Sequence, residues 1–151
     1  MTLNHGGVSA TFHNTEAAFQ ATKWWYDPKI RAEFENALTG GDAFKIKKKY
    51  RGTEDWTYGG YGSNLNAMRA ILDVKFAQSD FKQGLLDTAN SYLLEHNEKQ
   101  GRDNFWSDDN NGFGQNHLGL MLMEIRAQLG GKANPAVGIP VVDFTKNVKY
   151  H

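Results

Sequence analysis

The chain has 151 residues, enough for one domain with a real core, and its 17 Lys and Arg balance 17 Asp and Glu, so net charge gives no pull toward a polyanion. It has no cysteine, which removes disulfide frameworks, thiol nucleophiles and thiolate zinc sites and fits a reducing compartment. No apolar h-region opens the chain and no apolar run nears the roughly 18 residues of a membrane span, so a cytoplasmic protein (nuclear in a eukaryote) with no membrane partner is expected.

In chain order, Val8 to Phe12 alternates and is β-prone, which predicts a short strand. Asn14 or Thr15 caps the next helix, with Glu16 in its first turn, and Pro28 stops that helix near Tyr26. Asp27-Pro28 then starts a second helix that ends at Gly40-Gly41, and Asp42 caps a short basic helix running through Tyr50. Gly59-Gly60-Tyr61-Gly62 reads as a connector. The stripe Leu65, Met68, Ile71, Leu72 and Phe76 predicts a core helix, and Ser79 or Asp80 caps another that carries Phe81, Leu85 and Leu86. Tyr92 to His96 reads as a strand. Residues 97–115 form a long polar loop, of the kind that more often carries function than not. A helix over 116–129 follows, with Leu118, Met121, Leu122, Ile125 and Leu129 inward and Gly130-Gly131 as its stop. The tail 132–151 holds Ile139 to Phe144, an edge strand or extended arm packed on the domain 1–131. The fold class is mainly α (α+β): a compact helical domain with a few short strands.

The richest chemistry lies on the first helix. Glu16, Gln20 and Lys23 fall close to whole turns apart and share one stripe, with Phe19 beside them. That pattern serves an ion-pair ladder as well as acid–base or nucleophilic chemistry. Asp103 precedes two aromatics in the polar loop, where an Asp also turns its own backbone. Trp56 and Trp106 have polar flanks, which suits a pocket wall or a lid on the core. Gly112 to Gly119, with Gly114 and Asn116, leads into a helix, an arrangement that can leave amides free for an anion or simply cap the helix. It is neither a Walker loop nor a dinucleotide fingerprint. Lys45, Lys47, Lys48, Lys49 and Arg51 form a basic patch, either a solvated face or a surface for nucleic-acid phosphates. The five histidines show no metal spacing, so neither a metal nor a cofactor is expected.

Taken in order, these pieces resemble the NADAR family of YbiA-like N-glycosidases. The helix Glu16-x-x-Phe19-Gln20-Ala21-x-Lys23 is followed by Trp56, Met68 and Lys75-Phe76-x-Gln78, then Leu85-Leu86-x-Thr88 and Leu93-x-Glu95. Asp103-x-x-Trp106 and Gly114-x-Asn116-x-Leu118-Gly119-x-x-Leu122-Met123-x-x-Arg126 close the set, over about residues 8 to 130. Three features depart from the family pattern. Ser107 stands where a glycine is usual after the tryptophan, and the segment from Glu95 to Asp103 is longer. The Leu-Ser-Asn-Phe type segment upstream of the glutamate helix has no counterpart, so it is expected to be trimmed or replaced by the C-terminal arm.

The resemblance implies cleavage of an N-glycosidic bond between a ribose anomeric carbon and an exocyclic amine. It implies Glu16 and Asp103 at the reacting ribose, as water activator and charge stabiliser or acid, in either order. Lys23 is implied either as electrostatic partner of Glu16 or as a Schiff-base nucleophile. Phe19, Gln20, Trp56, Trp106, Gly114 and Asn116 are implied as substrate contacts. The implied substrate is ADP-ribosylated guanine in DNA or RNA, which the basic patch favours. The alternatives are a phosphoribosylamino-pyrimidine of riboflavin synthesis and, without catalysis, a module binding ADP-ribose or NAD.

Overall fold

The computed structural model describes residues 1–132 and the backbone of Lys149–Tyr150, and its chain divides into two compact units, Met1–Ala77 and Gln78–His151. Six α-helices and a few short strands make up the described residues, in line with the mainly α class expected from the sequence.

The first unit opens with a hairpin of β1 (Thr2–His5) and β2 (Val8–Thr11), antiparallel, with Leu3 opposite Ala10 and His5 opposite Val8. The sequence pattern exposed only the second of these strands, because Thr2-Leu-Asn-His has a single apolar residue. The pairing comes from the turn: Gly6 and Gly7 take φ of +56° and +75°, which suits the right-handed twist of a two-residue hairpin. Leu3 and Ala10 point inward and are buried.

Helix α1 (Thr15–Ala21) is capped by Asn14, whose side chain accepts the Ala17 amide at 2.8 Å. The expected run to Tyr26 tightens at Thr22–Trp24 into a 3-10 turn. Pro28 requires an extended Asp27, and the chain reaches it by tightening first. Ala17, Ala18 and Ala21 are fully buried, so neighbouring helices approach α1 closely, and α2 (Pro28–Glu35), α3 (Gly40–Lys49) and α4 (Asn64–Phe76) all touch it. Helix α2 ends at Glu35, short of the expected glycines. Thr39 is the cap of α3, and Asp42, expected as the cap, is its N3 partner in a capping box. Met68, Ile71 and Leu72 of α4 are buried, while Leu65 and Phe76 are half-buried.

The second unit holds α5 (Ser79–Asp87), β3 (Leu93–Leu94), α6 (His117–Gln128) and β4 (Lys149–Tyr150). Strand β4 pairs parallel with β3, Leu93 opposite Lys149. Gln78 precedes α5 as its cap residue without a side-chain bond, so neither Ser79 nor Asp80 is the cap. Phe81 is exposed, whereas Leu85 is buried. Met121, Leu122, Met123 and Ile125 bury α6 together with Arg126. Arg126 binds the Thr88 hydroxyl at 2.8 Å and the carbonyls of Ser91 and Lys132, each at 2.9 Å, tying the segment after α5 to the end of α6. The expected strand at Ile139 to Phe144 lies outside the described residues. Among those residues no helix is long and apolar enough to cross a membrane.

Candidate active site

Burial separates the α1 stripe from an ordinary surface ladder. Lys23 is only 4% exposed and Gln20 equally so, while Glu16 is half-buried one turn before Gln20. The Gln20 amide donates to Glu16 Oε1 at 2.7 Å, which fixes the carboxylate's orientation, and its own Oε1 is buried with no hydrogen-bond partner. A buried amide oxygen without a donor is costly, and a bound hydroxyl or amine would satisfy it.

Lys23 makes no ion pair with Glu16. Its Nζ sits instead among three rings, 6.0 Å from the centroid of Phe19, 5.6 Å from Trp24 and 5.7 Å from Trp56. Burial first, and the nearby Lys47 cation second, bring its amine from 10.5 down to about 8, against the opposing pull of Glu54 and Glu16. A lysine amine poised near neutrality has a usable free-base fraction, which an ordinary surface lysine lacks.

Trp56 is brought to Lys23 by backbone rather than by an apolar stripe. The Asp55 amide donates to the Lys23 carbonyl at 2.8 Å. The Asp55 carboxylate then gathers the Thr57 amide at 2.8 Å, the Thr57 hydroxyl at 2.7 Å and the Gly59 amide at 3.1 Å. Gly59 has φ +65° and lies so close to Trp25 that a Cβ would meet the Trp25 Cβ at 2.6 Å, so only glycine fits there. His5 locks the loop by contacting the Gly59 carbonyl at 2.7 Å and stacking on Tyr61 at 3.8 Å. Trp56 is thereby held 64% exposed, with its edge on Tyr58, and Tyr58 stacks in turn near Phe19. The result is an open aromatic wall over a buried amine. A cavity of about 230 Å3 opens beside Lys23, bounded by Trp24, Trp25, Tyr26, Thr53 and Asp55.

The second unit contains the other expected residues. Asp103 Oδ1 accepts the amides of Phe105 at 3.1 Å and Trp106 at 2.9 Å, the turn-forming role anticipated for a loop aspartate. Its Oδ2 has no hydrogen-bond partner among the described residues. Trp106 is half-buried, edge-on to Phe105 at 4.9 Å.

Of the two readings of the glycine-rich helix start, amides free for an anion or a helix cap, the first is not met. Those of Gly112, Gly114, Gln115, Asn116, His117 and Leu118 are all donated to carbonyls of the loop 104–108. Gly114 is there because its Cα abuts the Ser107–Asp109 backbone, where a side chain would not fit. Asn116 sits at the cap position in the left-handed region, φ 49°, without capping α6 by its side chain. Its buried amide accepts from Glu95 N at 2.9 Å and donates to the Leu93 carbonyl at 2.9 Å, so it clamps β3 to the helix start.

Two residues in and beside this loop were given no role from the sequence. Asp108 is buried at its centre, accepting the amides of Asn97 at 3.1 Å and Asn110 at 2.9 Å and meeting His96 Nδ1 at 3.0 Å. Burial alone would raise its carboxyl, yet the Asn110 amide, His96 and the Asn97 amide together hold it below its usual range. Glu95 is half-buried nearby. Burial, then the carboxylates of Asp103 and Asp108, push it upward against the pull of His96. The acidic run of the loop hinted at such a centre, but the pairing with His96 has no local sequence signal. Among the described residues no group of three or more His, Asp or Glu side chains is placed to share a metal ion.

Comparisons with known proteins match most of the chain. A riboflavin biosynthesis protein of Vibrio vulnificus is 32% identical over 126 residues, covering 81% of this chain and 32% of its own length. N-glycosidase YbiA of Escherichia coli is 34% identical over 128 residues, covering 79% of this chain and 71% of its own. The chain therefore spans about a third of the first relative and under three quarters of the second. The NMR structure of Escherichia coli YbiA superposes with a TM-score of 0.65 at 28% identity, over 86% of this chain and 73% of that one. The NADAR domain model matches residues 3–130, from the first hairpin to the end of α6, and the chain belongs to the NADAR family.

Proposed function

We propose that the protein is an N-glycosidase whose α1 cluster attacks the anomeric carbon of a ribose bonded to an exocyclic amine. The observation that carries this reading is the buried Lys23 amine at about 8, with no ion-pair partner among the described residues, two helical turns from a half-buried carboxylate. The name borne by the YbiA relative agrees with that class of reaction.

The geometry favours Lys23 as a nucleophile over Lys23 as a partner of Glu16, since the two make no ion pair and the Lys23 amine is desolvated by rings. At pH 7 about a tenth of such an amine is free base. The amine bonds to C1 of the ribose as the bond from C1 to the exocyclic amine breaks, and the proton shed by the lysine nitrogen passes through the Glu16 carboxylate to the leaving amine; the C1–O4 bond of the ring then opens to give the imine, which water hydrolyses to free the sugar and Lys23. Proton delivery of this kind is worth about 10²–10⁴-fold. Trp56 and Phe19 face the sugar or base, and Gln20 Oε1 accepts a substrate hydroxyl. A carboxylate near the reacting carbon also stabilises its developing positive charge.

The substrate we rank first is ADP-ribosylated guanine in nucleic acid, supported by the exposed Lys45, Lys48 and Arg51 on and after α3. The name of the Vibrio vulnificus relative favours a second substrate, a phosphoribosylamino-pyrimidine. One assay separates them: wild type, Glu16→Ala and Lys23→Ala are incubated with ADP-ribosyl-guanine DNA and with the pyrimidine, and the freed sugar is quantified. Release from the pyrimidine alone reverses the ranking, and release from neither removes the enzyme reading. Borohydride added during turnover traps an adduct on Lys23; turnover without a trapped adduct returns Lys23 to an electrostatic role. Asp103→Asn in the same assay measures whether that carboxylate takes part.

A further inference from the structure

The basic helix α3 has one lysine whose surroundings differ from the others. Lys45, Lys48 and Lys49 are exposed, and Lys49 is held by Glu33 at 3.0 Å. Lys47 is half-buried and lies on the stripe Gly40, Ala43, Lys47, whose middle member is fully buried. That stripe faces α1. A Cβ on Gly40 would stand 3.6 Å from the Glu16 Cβ, in ordinary contact, so the two helices begin side by side. Glu16 to Lys23 and Gly40 to Lys47 are both steps of seven residues, each about 10.5 Å along a helix axis. Tyr50, just past the end of α3, has its ring 6.3 Å from that of Trp24, so the two segments stay side by side and Lys47 lies within electrostatic reach of Lys23.

Among the described residues Lys47 has no carboxylate partner; its Nζ lies 5.2 Å from the centre of its own helix's Phe44 ring. Lys23 and Lys47 thus stand near one another beside an open aromatic wall, and the Lys47 cation acts on Lys23 more strongly than either the Glu54 or the Glu16 carboxylate. Like charges kept close favour an anion beside them.

We propose that Lys47 binds the phosphate carried on C5 of the reacting ribose and so selects phosphorylated ribosides over plain nucleosides. The inference rests on the N-glycosidase reading, and it deepens that reading without choosing between its substrates. Ribose attached to a pyrophosphate and ribose 5-phosphate both place an anion on C5, across the ring from the carbon under attack. Lys47 is then a positioning residue with two effects. It anchors the phosphate, and while the site is empty it holds Lys23 partly in its free-base form.

The test is calorimetric titration of the full chain at pH 8 with ribose, ribose 5-phosphate and ADP-ribose as separate probes. Wild type is expected to bind both phosphates and to bind ribose at least tenfold more weakly. Lys47→Gln loses about tenfold or more for both phosphates, Lys47→Arg keeps most of the affinity, and Lys29→Gln, the same charge change at an exposed site on α2, is unaffected. ADP-ribose binding much tighter than ribose 5-phosphate identifies the pyrophosphate as the anion; equal binding identifies the monoester.

A second readout excludes a merely structural role. An anion beside Lys23 raises its pKa, so binding near pH 8 takes up a fraction of a proton, seen as a dependence on buffer ionisation heat. That uptake shrinks in Lys47→Gln. Equal losses in Lys47→Gln and Lys29→Gln, or ribose binding as tightly as its phosphate, overturn the proposal. The two readings fail separately. Phosphate binding through Lys47 without turnover of any N-glycoside removes the enzyme and keeps the anion site. Full turnover with unchanged KM in Lys47→Gln removes the anion site and keeps the enzyme.

Discussion

Replacing Lys23 by methionine tests the electrostatics of the site without any substrate. Methionine keeps an unbranched apolar stem that fits among Phe19, Trp24 and Trp56 and removes the ammonium. The Lys23 amine falls from 10.5 to about 8 on folding. At about 1.4 kcal/mol per pKa unit, that depression corresponds to about 3 kcal/mol. Between those two pKa values the unfolded chain binds the proton and the folded one does not, so folding stability rises with pH across the window. Below about pH 8 both states are protonated and the burden of the buried cation is felt in full. The observable is the difference in unfolding free energy between wild type and Lys23→Met, from urea titrations at half-unit steps from pH 7 to 10.5. Packing changes shift that difference by a constant, and titration of other groups largely cancels. Only Lys23 makes it vary with pH. The expected curve is flat to about pH 8 and then moves by about 3 kcal/mol in favour of wild type. A flat difference over the whole range means that the amine titrates at its ordinary value in the folded protein, which also removes the basis for a nucleophilic Lys23.

Further outcomes follow from the same structure. Catalytic efficiency on the cleaved N-glycoside should rise with pH and level off near pH 8, where Lys23 loses its proton. Lys47→Gln should move the inflection upward because it removes a neighbouring cation; an unmoved inflection in pH–rate profiles refutes the coupling. Glu16→Gln should keep the Gln20 contact yet lower turnover by about 10²–10³-fold, the share of a positioned proton donor, with little change in urea midpoint. Asn116→Ala strands the Glu95 amide and the Leu93 carbonyl and should destabilise the fold by about 2–4 kcal/mol in urea titration. Gly119→Ala drives a methyl into the Leu93 carbonyl and the Asn116 amide and should lower stability by about 1–3 kcal/mol. A neutral result there would mean that β3 moves aside without loss.

Much of the fold could be read directly from the chain. The apolar stripe of α4, the Asp27-Pro28 helix start and the glycine stop after α6 are local signals, and they lie where expected. The elements misread were those whose partners lie elsewhere. β1 needs its hairpin, the 3-10 turn needs Pro28 downstream, and the Thr39–Asp42 box decides the start of α3 over Asp42 alone.

The candidate site divides along the same line. Helical periodicity by itself put Glu16, Gln20 and Lys23 on one stripe, because side-chain direction repeats with the backbone. What the stripe does depends on desolvation and on neighbours from distant segments, and periodicity carries neither. Tertiary packing alone buried Lys23 among three rings, brought Trp56 over it through the Asp55 amide, and carried Lys47 of α3 within electrostatic reach of it. It also committed the amides of the glycine-rich segment to loop carbonyls, which its composition had left open to an anion. A residue's chemistry is written in its side chain, but its pKa and its partners are properties of the space the folded chain encloses around it.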